Sequence, residues 1–280
     1  MPIKQAVEPI ATSRTLWQVF IWSLLVGVYS IVAVLKEHSQ YATWGDVPSG
    51  IHAALSLVVG LLLVFRTNSA YSRWWEARTL WGGLVNACRN LAVKTHYFAN
   101  LAPEQAATFR QLIISFPVAL KHHLRDENDA IPKEIQRLAQ HAKHVPLGIV
   151  NQLYALVKKV HSEGHLDSGS LWILDAELHR LMDICGGCER IKKTRIVRSY
   201  RSFARQITTL VLLTLPWGMV EDFGVWTIPL TTISAYFMIG LEVVAEHVEE
   251  PFGYDEDDLD LDALCTTIEA TVSESFPLAG

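Results

Sequence analysis

The sequence predicts an all-α integral membrane protein with four transmembrane helices and a helical cytoplasmic domain. Half of the 280 residues are apolar and only 19% are charged. This balance lies between that of a soluble domain and that of a chain lying wholly in a membrane. Four long runs are almost free of charge, and no stretch shows the period-two alternation or glycine-rich turns of a β-hairpin.

The first two apolar runs form the amino-terminal membrane part, residues 15–65. After a short polar arm, residues 1–14, the segment Thr15–Leu35 contains no charge and is long enough to cross ~30 Å of hydrocarbon at 1.5 Å per residue. The second run begins near Gly50, with Ser49 as a candidate N-cap, and carries no charge before Arg66. No stop signal follows, so one helix should leave the bilayer at Arg66 and continue beyond it.

Tryptophans flank the first run. Trp17 and Trp22 lie near its start and Trp44 beyond its end, positions that suit the aromatic belts of the two membrane interfaces.

The rest of the chain divides into a polar region, a second membrane part and a tail. Residues 66–205 have a helical rhythm that predicts four or so cytoplasmic helices after Leu91, separated by loops at 126–132, 145–146 and 163–170. Residues 206–250 contain the runs Gln206–Val220 and Val225–Leu241, whose short joint allows only an antiparallel helical hairpin. Residues 251–280 form an acidic cytoplasmic tail.

The basic residues predict the orientation in the membrane. Four crossings place both termini and the middle region on one side. Six Lys and Arg residues lie in 192–205, and Arg66 and Arg73 follow the second run, whereas the opposite loops contain only Lys36. The positive-inside rule therefore assigns the middle region and both termini to the cytoplasm.

Charge is distributed very unevenly along the chain. Residues 1–205 hold all 24 basic groups and 15 acidic ones, a balance of +9, while the last 75 residues carry fourteen acidic groups. We expect so acidic a tail to fold back on the basic body of its own or a neighbouring subunit. A nucleic acid is not an expected partner.

Cysteines and histidines offer weak metal signals. Cys185 and Cys188 have the spacing of a zinc or redox half-site, but no second pair accompanies them, so packing of small residues in a helix turn is favoured. Histidines pair at helical spacing in His141/His144 and His161/His165, and His122 and His123 are adjacent. No HExxH motif completes a site, so we expect peripheral, solvated histidines.

One extended motif resembles a known family. The segment Arg66–Arg78, RTNSAYSRWWEAR, followed by Leu80-Trp81-Gly82, is similar to the bestrophin family and closely to its bacterial branch. Cys188-Glu-Arg-Ile191 before the third membrane run agrees with this resemblance, as does Glu250-Pro-Phe-Gly253 followed by an acidic run.

The resemblance implies a pentameric ion channel of the bacterial inner membrane, with its pore on the five-fold axis. By this match Leu57, Leu61 and Phe65 hold the positions of a narrow apolar neck. In a closed ring each residue on the axis becomes a collar of five. The alternative is an apolar stripe that faces lipid or the core. Eukaryotic relatives prefer anions, which suggests a chloride channel, although bacterial members need not share that preference.

Charges and tryptophans next to the neck are expected to be structural. Arg73 and Glu76 are three residues apart and can pair along the helix. Trp74, Trp75 and Trp81 are expected to be packing anchors at the membrane boundary.

A cluster of carboxylates follows the fourth run. Asp255, Glu256, Asp257 and Asp258 offer the oxygen ligands that calcium prefers, and in eukaryotic bestrophins an acidic stretch here forms a calcium clasp. The Leu259 and Leu261 spacing is that of the bacterial pattern. We therefore expect no cofactor, with calcium at these four residues as the alternative, and a segment docked on basic residues.

The function predicted from the sequence is a homo-oligomeric channel passing small monovalent ions across the lipid bilayer. The alternative is a membrane-anchored scaffold that binds a cytoplasmic partner. The sequence contains no phosphate loop, GxSxG motif or dinucleotide fingerprint, so an enzyme is not expected.

Overall fold

A computed structural model describes residues 13–40 and 48–275, and every regular element in these residues is helical. The predicted all-α class is confirmed. The α-helices are α1 (Arg14–Glu37), α2 (Ser49–Phe98), α3 (Pro103–Leu124), α4 (Lys133–Leu138), α5 (Val145–Ser162), α6 (Ser168–Lys193), α7 (Arg198–Phe223), α8 (Thr227–Glu249) and α9 (Leu261–Ser275), with 3-10 turns at Asn128–Ala130 and Gly224–Trp226.

The long second helix is confirmed. It begins at Ser49 itself and runs for 50 residues without a break, about 75 Å at 1.5 Å per residue. Among the residues that the structure describes, three segments are long and apolar enough to cross a membrane: Arg14–Glu37, Gly50–Phe98 and Arg198–Glu249. The turn Gly224–Trp226 divides the third into α7 and α8. The expectations for residues 1–12, for Trp44 and for the Ser49 side chain lie outside the described residues.

One local expectation was wrong, and one helix was not predicted. The predicted loop at Val145–Pro146 is the first turn of α5, where proline is tolerated because its missing N–H would have no helical partner. The acidic tail contains α9, which buries Leu261, Cys265, Ile268 and Val272. Their three- and four-residue spacing is a helical signal that was present in the sequence.

The described residues divide into two compact units. The first comprises those up to Trp74 together with Arg195–Glu250 and Tyr254–Asp257. In it α1 packs along α8 through small buried residues: Gly27 touches Thr232, and a side chain at Gly27 would overlap that hydroxyl. Close approach over small residues is the usual way in which membrane helices associate.

The second unit comprises Trp75–Thr194, Pro251–Gly253 and the described residues from Asp258 onward. In it α3 packs against α5, α6 and α9, and α5 also packs against α6. The core residues of α3 are large and fully buried, among them Phe109, Ile113 and Phe116. The tail helix α9 therefore belongs to this core and does not trail away from it.

Candidate ion pathway

The predicted neck residues lie on the face of α2 that points away from the subunit's own core. The side chains of Leu57, Leu61 and Phe65 are 67%, 52% and 62% exposed, whereas Val59 and Leu63 are buried. The core-facing alternative is therefore excluded within the subunit. Large exposed apolar side chains require a partner surface, lipid or a pore axis.

The same face changes character at both ends of the apolar stripe. One turn before Leu57 it presents Ala53, which is small and exposed, and beyond Phe65 it presents Asn68, Ser69 and Ser72, all exposed. The hydroxyls of Ser69 and Ser72 donate to the carbonyls of Phe65 and Asn68. Sequence reasoning did not single out these flanking residues, although Ala53 and Ser69 lie four residues before and after the neck.

The opposite face of α2 is fixed to α7 and α8. Val59 and Leu63 form a buried cluster with Val211, and Ile207 and Met238 pack against it. The Tyr200 hydroxyl donates to the carbonyl of Leu62 at 3.2 Å. His52 lies against Gly218, where any side chain would overlap the imidazole. Between His52 and Leu63 the helix is therefore held on its inner side, while the neck face is exposed in the subunit.

A buried ion pair ends the apolar part of α2. The side chain of Arg66 is fully buried and pairs with Glu242 of α8, which is 11% exposed. Arg205 joins the pair, because its Nε donates to Glu242 at 3.2 Å and its terminal nitrogen contacts Glu246 at 2.6 Å. Sequence reasoning placed Arg66 at the end of the apolar run and expected the charges there to be structural, but it did not identify Glu242 as a partner. An ionisable residue within an apolar run is a signal that could have found it.

The motif residues after Arg66 are anchored by other elements. Arg73 Nε donates to the carbonyl of Glu249 at 3.1 Å, and the Trp74 indole donates to the carbonyl of Asp257 at 2.9 Å. Trp81 is fully buried, which confirms its packing role, whereas Trp75 is exposed.

Within the second unit, Glu76 forms an ion pair with Arg190 of α6. This contact lies between two helices, in addition to any pairing along α2 that the sequence suggested.

In the acidic segment, residues 255–257 belong to the first unit, where Glu256 and Asp257 make specific contacts. Glu256 accepts hydrogen bonds from the Ser13 hydroxyl at 2.6 Å and from the backbone N–H of Arg14 at 3.0 Å, so it caps the first turn of α1. The Ser13 hydrogen bond, followed by that from Arg14, lowers the pKa of Glu256. Asp257 lies 3.7 Å from His247. Polar interactions also engage Asp255 and Asp258.

In the second unit, Asp262 and Arg125 fix the start of the tail helix. Asp262 contacts Lys121 at 2.6 Å and Arg125 at 3.2 Å. The hydrogen bond from Lys121 is the largest influence on the Asp262 carboxyl and, with that from Arg125, lowers its pKa. Arg125 also donates to the carbonyls of Phe252 and Gly253, each at 3.2 Å.

The cysteines are buried thiols in the second unit. Cys88, Cys185, Cys188 and Cys265 are unbridged and buried. Burial raises the pKa of Cys185 and of Cys265 to about 12, with the Glu189 carboxylate adding to the effect at Cys185. A thiol with so high a pKa is a poor nucleophile, which agrees with the packing role expected for the Cys185/Cys188 pair.

Comparisons with known proteins agree with one another. The profile described as Bacterial/Fungal Bestrophin protein matches residues 5–274. The chain is 34% identical over 236 residues to a voltage-dependent anion channel-forming protein of Nostoc sp., covering 80% of this chain and 76% of the relative. It is 32% identical over 273 residues to one of Synechocystis sp., with coverage of 91% and 89%.

A solved structure shows the same fold. The crystal structure of a bacterial bestrophin homologue from Klebsiella pneumoniae matches with a TM-score of 0.85 at 25% identity, covering 93% of this chain and 99% of that one. The protein has long apolar helices, and one of them carries an exposed apolar face that ends at a buried ion pair. Together with the named relatives, these features define an ion channel of the membrane. The chain belongs to the bacterial/fungal bestrophin family.

Proposed function

We propose that five copies of the chain form a channel in which α2 of each subunit lines the axis. Leu57, Leu61 and Phe65 then form three stacked collars over about 12 Å, since each step of four residues rises 6 Å. The observation that carries this proposal is the pairing of an exposed apolar face with an inner face fixed to α7 and α8. A face exposed in one subunit becomes the pore wall when the ring closes.

The narrow part of this pore is confined to the three collars. Ala53 before the neck is too small to constrict the passage, and Ser69 and Ser72 beyond it offer polar groups to a hydrated ion. Between them, rings of large apolar side chains make a dry constriction that opposes hydrated ions by the cost of removing water.

The permeant ions that we propose are small monovalent anions, chloride foremost. The Nostoc and Synechocystis relatives are named anion channel-forming proteins, which supports this choice. An apolar neck acts on hydration more than on the sign of charge, so the preference for anions has to come from charged groups elsewhere along the pathway.

We propose that the acidic segment holds the start of α1 in place and is not a calcium site. Glu256 is committed to the first turn of α1 and Asp257 to the neighbourhood of His247. Carboxylates that already accept hydrogen bonds from protein donors have fewer lone pairs left for calcium, which takes six to eight oxygen ligands. Four crossings, from the apolar runs, and cytoplasmic termini, from the Lys and Arg asymmetry, complete the proposal. Residence in the bacterial inner membrane is proposed from the family.

Purified protein in liposomes tests this function. We expect halide flux without any added protein, reversal potentials in asymmetric NaCl that follow the chloride gradient, and a native mass of five subunits. Reversal potentials that follow the sodium gradient would overturn the assignment of anions as the permeant ions, but not the assignment of the protein as a channel. A correctly assembled oligomer without flux would favour the scaffold alternative.

A further inference from the structure

Three side chains of the second unit, from three different helices, converge on one point. His123 lies near the end of α3, His144 precedes α5 as its N-cap, and Glu189 lies near the end of α6. The Nε2 atom of His123 is 2.8 Å from Glu189 Oε1, and that of His144 is 2.7 Å from the same oxygen. These three atoms all lie within 4.8 Å of one another. No other group of three candidate ligands comes so close in residues 13–40 and 48–275.

The cluster is sheltered and held in place. Its side chains are 20%, 34% and 19% exposed for His123, His144 and Glu189. The two imidazole rings lie 4.5 Å apart. On its far side the carboxylate contacts Lys193 at 3.3 Å, which leaves Oε1 directed at the two rings.

The donor set matches the chemistry of zinc. Two imidazole nitrogens and one carboxylate oxygen form a three-protein-ligand set that zinc uses, with a fourth position for water or another ligand. Calcium and magnesium prefer all-oxygen sites. Zinc bonds of 2.0–2.1 Å place tetrahedral ligands about 3.3 Å apart, so the observed separations require the side chains to open by roughly half an ångström.

A fourth protein ligand is also close. The thiol of Cys185 lies one helical turn before Glu189, with Sγ 3.9 Å from Glu189 Oε1. Sulfur is a strong zinc ligand once deprotonated. Cys185 therefore has a partner cluster that the Cys185/Cys188 spacing by itself does not identify.

Binding requires a change of tautomer at His144. The Nδ1 atom of that ring accepts the N–H of Leu147 at 3.1 Å, so the proton of the neutral ring lies on Nε2, where it bonds Glu189. A metal ion at Nε2 moves this proton to Nδ1, and the hydrogen bond from Leu147 is exchanged for the metal bond. One N-cap is a small loss beside the formation of three metal–ligand bonds.

We propose that His123, His144 and Glu189 form a binding site for a divalent first-row transition metal, zinc foremost, with Cys185 as an optional fourth ligand. None of its ligands belongs to the proposed neck or to the acidic segment. Because its ligands come from α3, from the start of α5 and from α6, a bound metal would cross-link these helices and stabilise the second unit.

The test uses the full chain in detergent, purified without a polyhistidine tag and stripped with EDTA. We expect calorimetry to give one zinc ion per subunit and Co²⁺ to give the visible absorption of a tetrahedral complex. A thiolate-to-cobalt charge-transfer band in the near ultraviolet, lost in C185S, would show that Cys185 ligates. If the wild type lacks this band, the site consists of the three ligands His123, His144 and Glu189.

Two substitutions and a matched control assign the site. E189Q keeps the shape of the side chain, and H144N keeps a capping group at the start of α5. Each should weaken zinc binding by more than the roughly 10–100-fold that loss of an outer-shell partner costs. H179N alters an exposed histidine that lies 3.4 Å from Asp183 on the same helix, and it should leave binding unchanged.

Three outcomes would overturn the proposal: no binding of stoichiometric zinc, binding that survives both E189Q and H144N, or binding weakened equally by H179N. Circular dichroism of each variant shows that it is folded. Zinc should also raise the thermal midpoint of the wild type and not of E189Q, a readout that is independent of channel activity.

Discussion

Arg66 of α2 and Glu242 of α8 form an ion pair in which the arginine is wholly buried and the carboxylate nearly so. The pair lies directly after Phe65, where the apolar stripe of α2 ends. It joins the helix that carries the proposed neck to the one that packs along α1. A buried ion pair stabilises a protein little more than a hydrophobic pair of similar size does. Removal of one of its members, however, is strongly destabilising.

We therefore predict that E242Q destabilises the protein strongly. Removal of one partner leaves a buried guanidinium without compensation, at a cost of about 3–5 kcal/mol. The double variant R66M/E242L, with two apolar side chains, should recover most of that loss. Thermal unfolding in detergent measures both. E250Q is the control, since its exposed pair with Arg195 at 3.0 Å should contribute only about 0.2–1 kcal/mol. A loss no larger in E242Q than in E250Q would contradict this prediction.

Shortening the neck should increase conduction. Changing Leu57, Leu61 and Phe65 together to Ala widens all three collars, so single-channel conductance should rise several-fold and discrimination among ions of one sign should weaken. The three side chains are exposed in the subunit, so its core should be unaffected. Size-exclusion chromatography first establishes that the oligomer is intact.

The control for the neck variant changes Leu24 and Leu25 of α1, which are 44% and 53% exposed, to Ala. This variant should conduct like the wild type. If the triple neck variant assembles and its conductance is unchanged, then Leu57, Leu61 and Phe65 do not line the constriction.

The acidic segment should matter for assembly and not for calcium. Replacing Asp255, Glu256, Asp257 and Asp258 with neutral amides removes the cap that Glu256 provides to α1. We expect fewer assembled oligomers by size-exclusion chromatography and an unchanged response of conductance to calcium. Micromolar calcium binding to the wild type, abolished by the replacement, would show that the segment is a calcium site.

Stability should fall at low pH through Asp262. Because the folded protein lowers the pKa of Asp262 below its usual 3.8, the ionised carboxylate stabilises the fold above that pH. The contribution is lost as the pH falls through the folded-state pKa. The difference in thermal midpoint between wild type and D262N should therefore be present at about pH 6 and shrink at about pH 3. D129N, at an exposed acid of the turn Asn128–Ala130, is the control and should leave the thermal midpoint close to that of the wild type.

The orientation in the membrane can be tested with single cysteines. The native cysteines are all buried, so the background reaction with an impermeant thiol reagent should be low. In intact cells E163C should stay unlabelled and D222C, at an exposed position near the turn between α7 and α8, should react. The reverse pattern would invert the proposed topology.

The helical class, the apolar segments and the family could all be predicted from the amino-acid sequence. Hydrophobic runs, the absence of a stop signal after Arg66 and a continuous motif are local properties, so the chain displays them without its fold. The 50-residue helix α2 follows from them directly. Helix α9 had a comparable signal in the spacing of Leu261, Cys265, Ile268 and Val272, which the acidic composition of the tail obscured.

The contacts between residues distant in the chain could not be predicted in this way. Arg66 pairs with Glu242 across 176 positions, and His123 and His144 share a carboxylate of Glu189. Such pairs depend on how helices far apart in the chain pack, and sequence spacing carries no record of that packing. Which face of α2 is exposed was likewise decided by packing, because Val59 and Leu63 bury against Val211, while Leu57 and Leu61, which are equally apolar, point away.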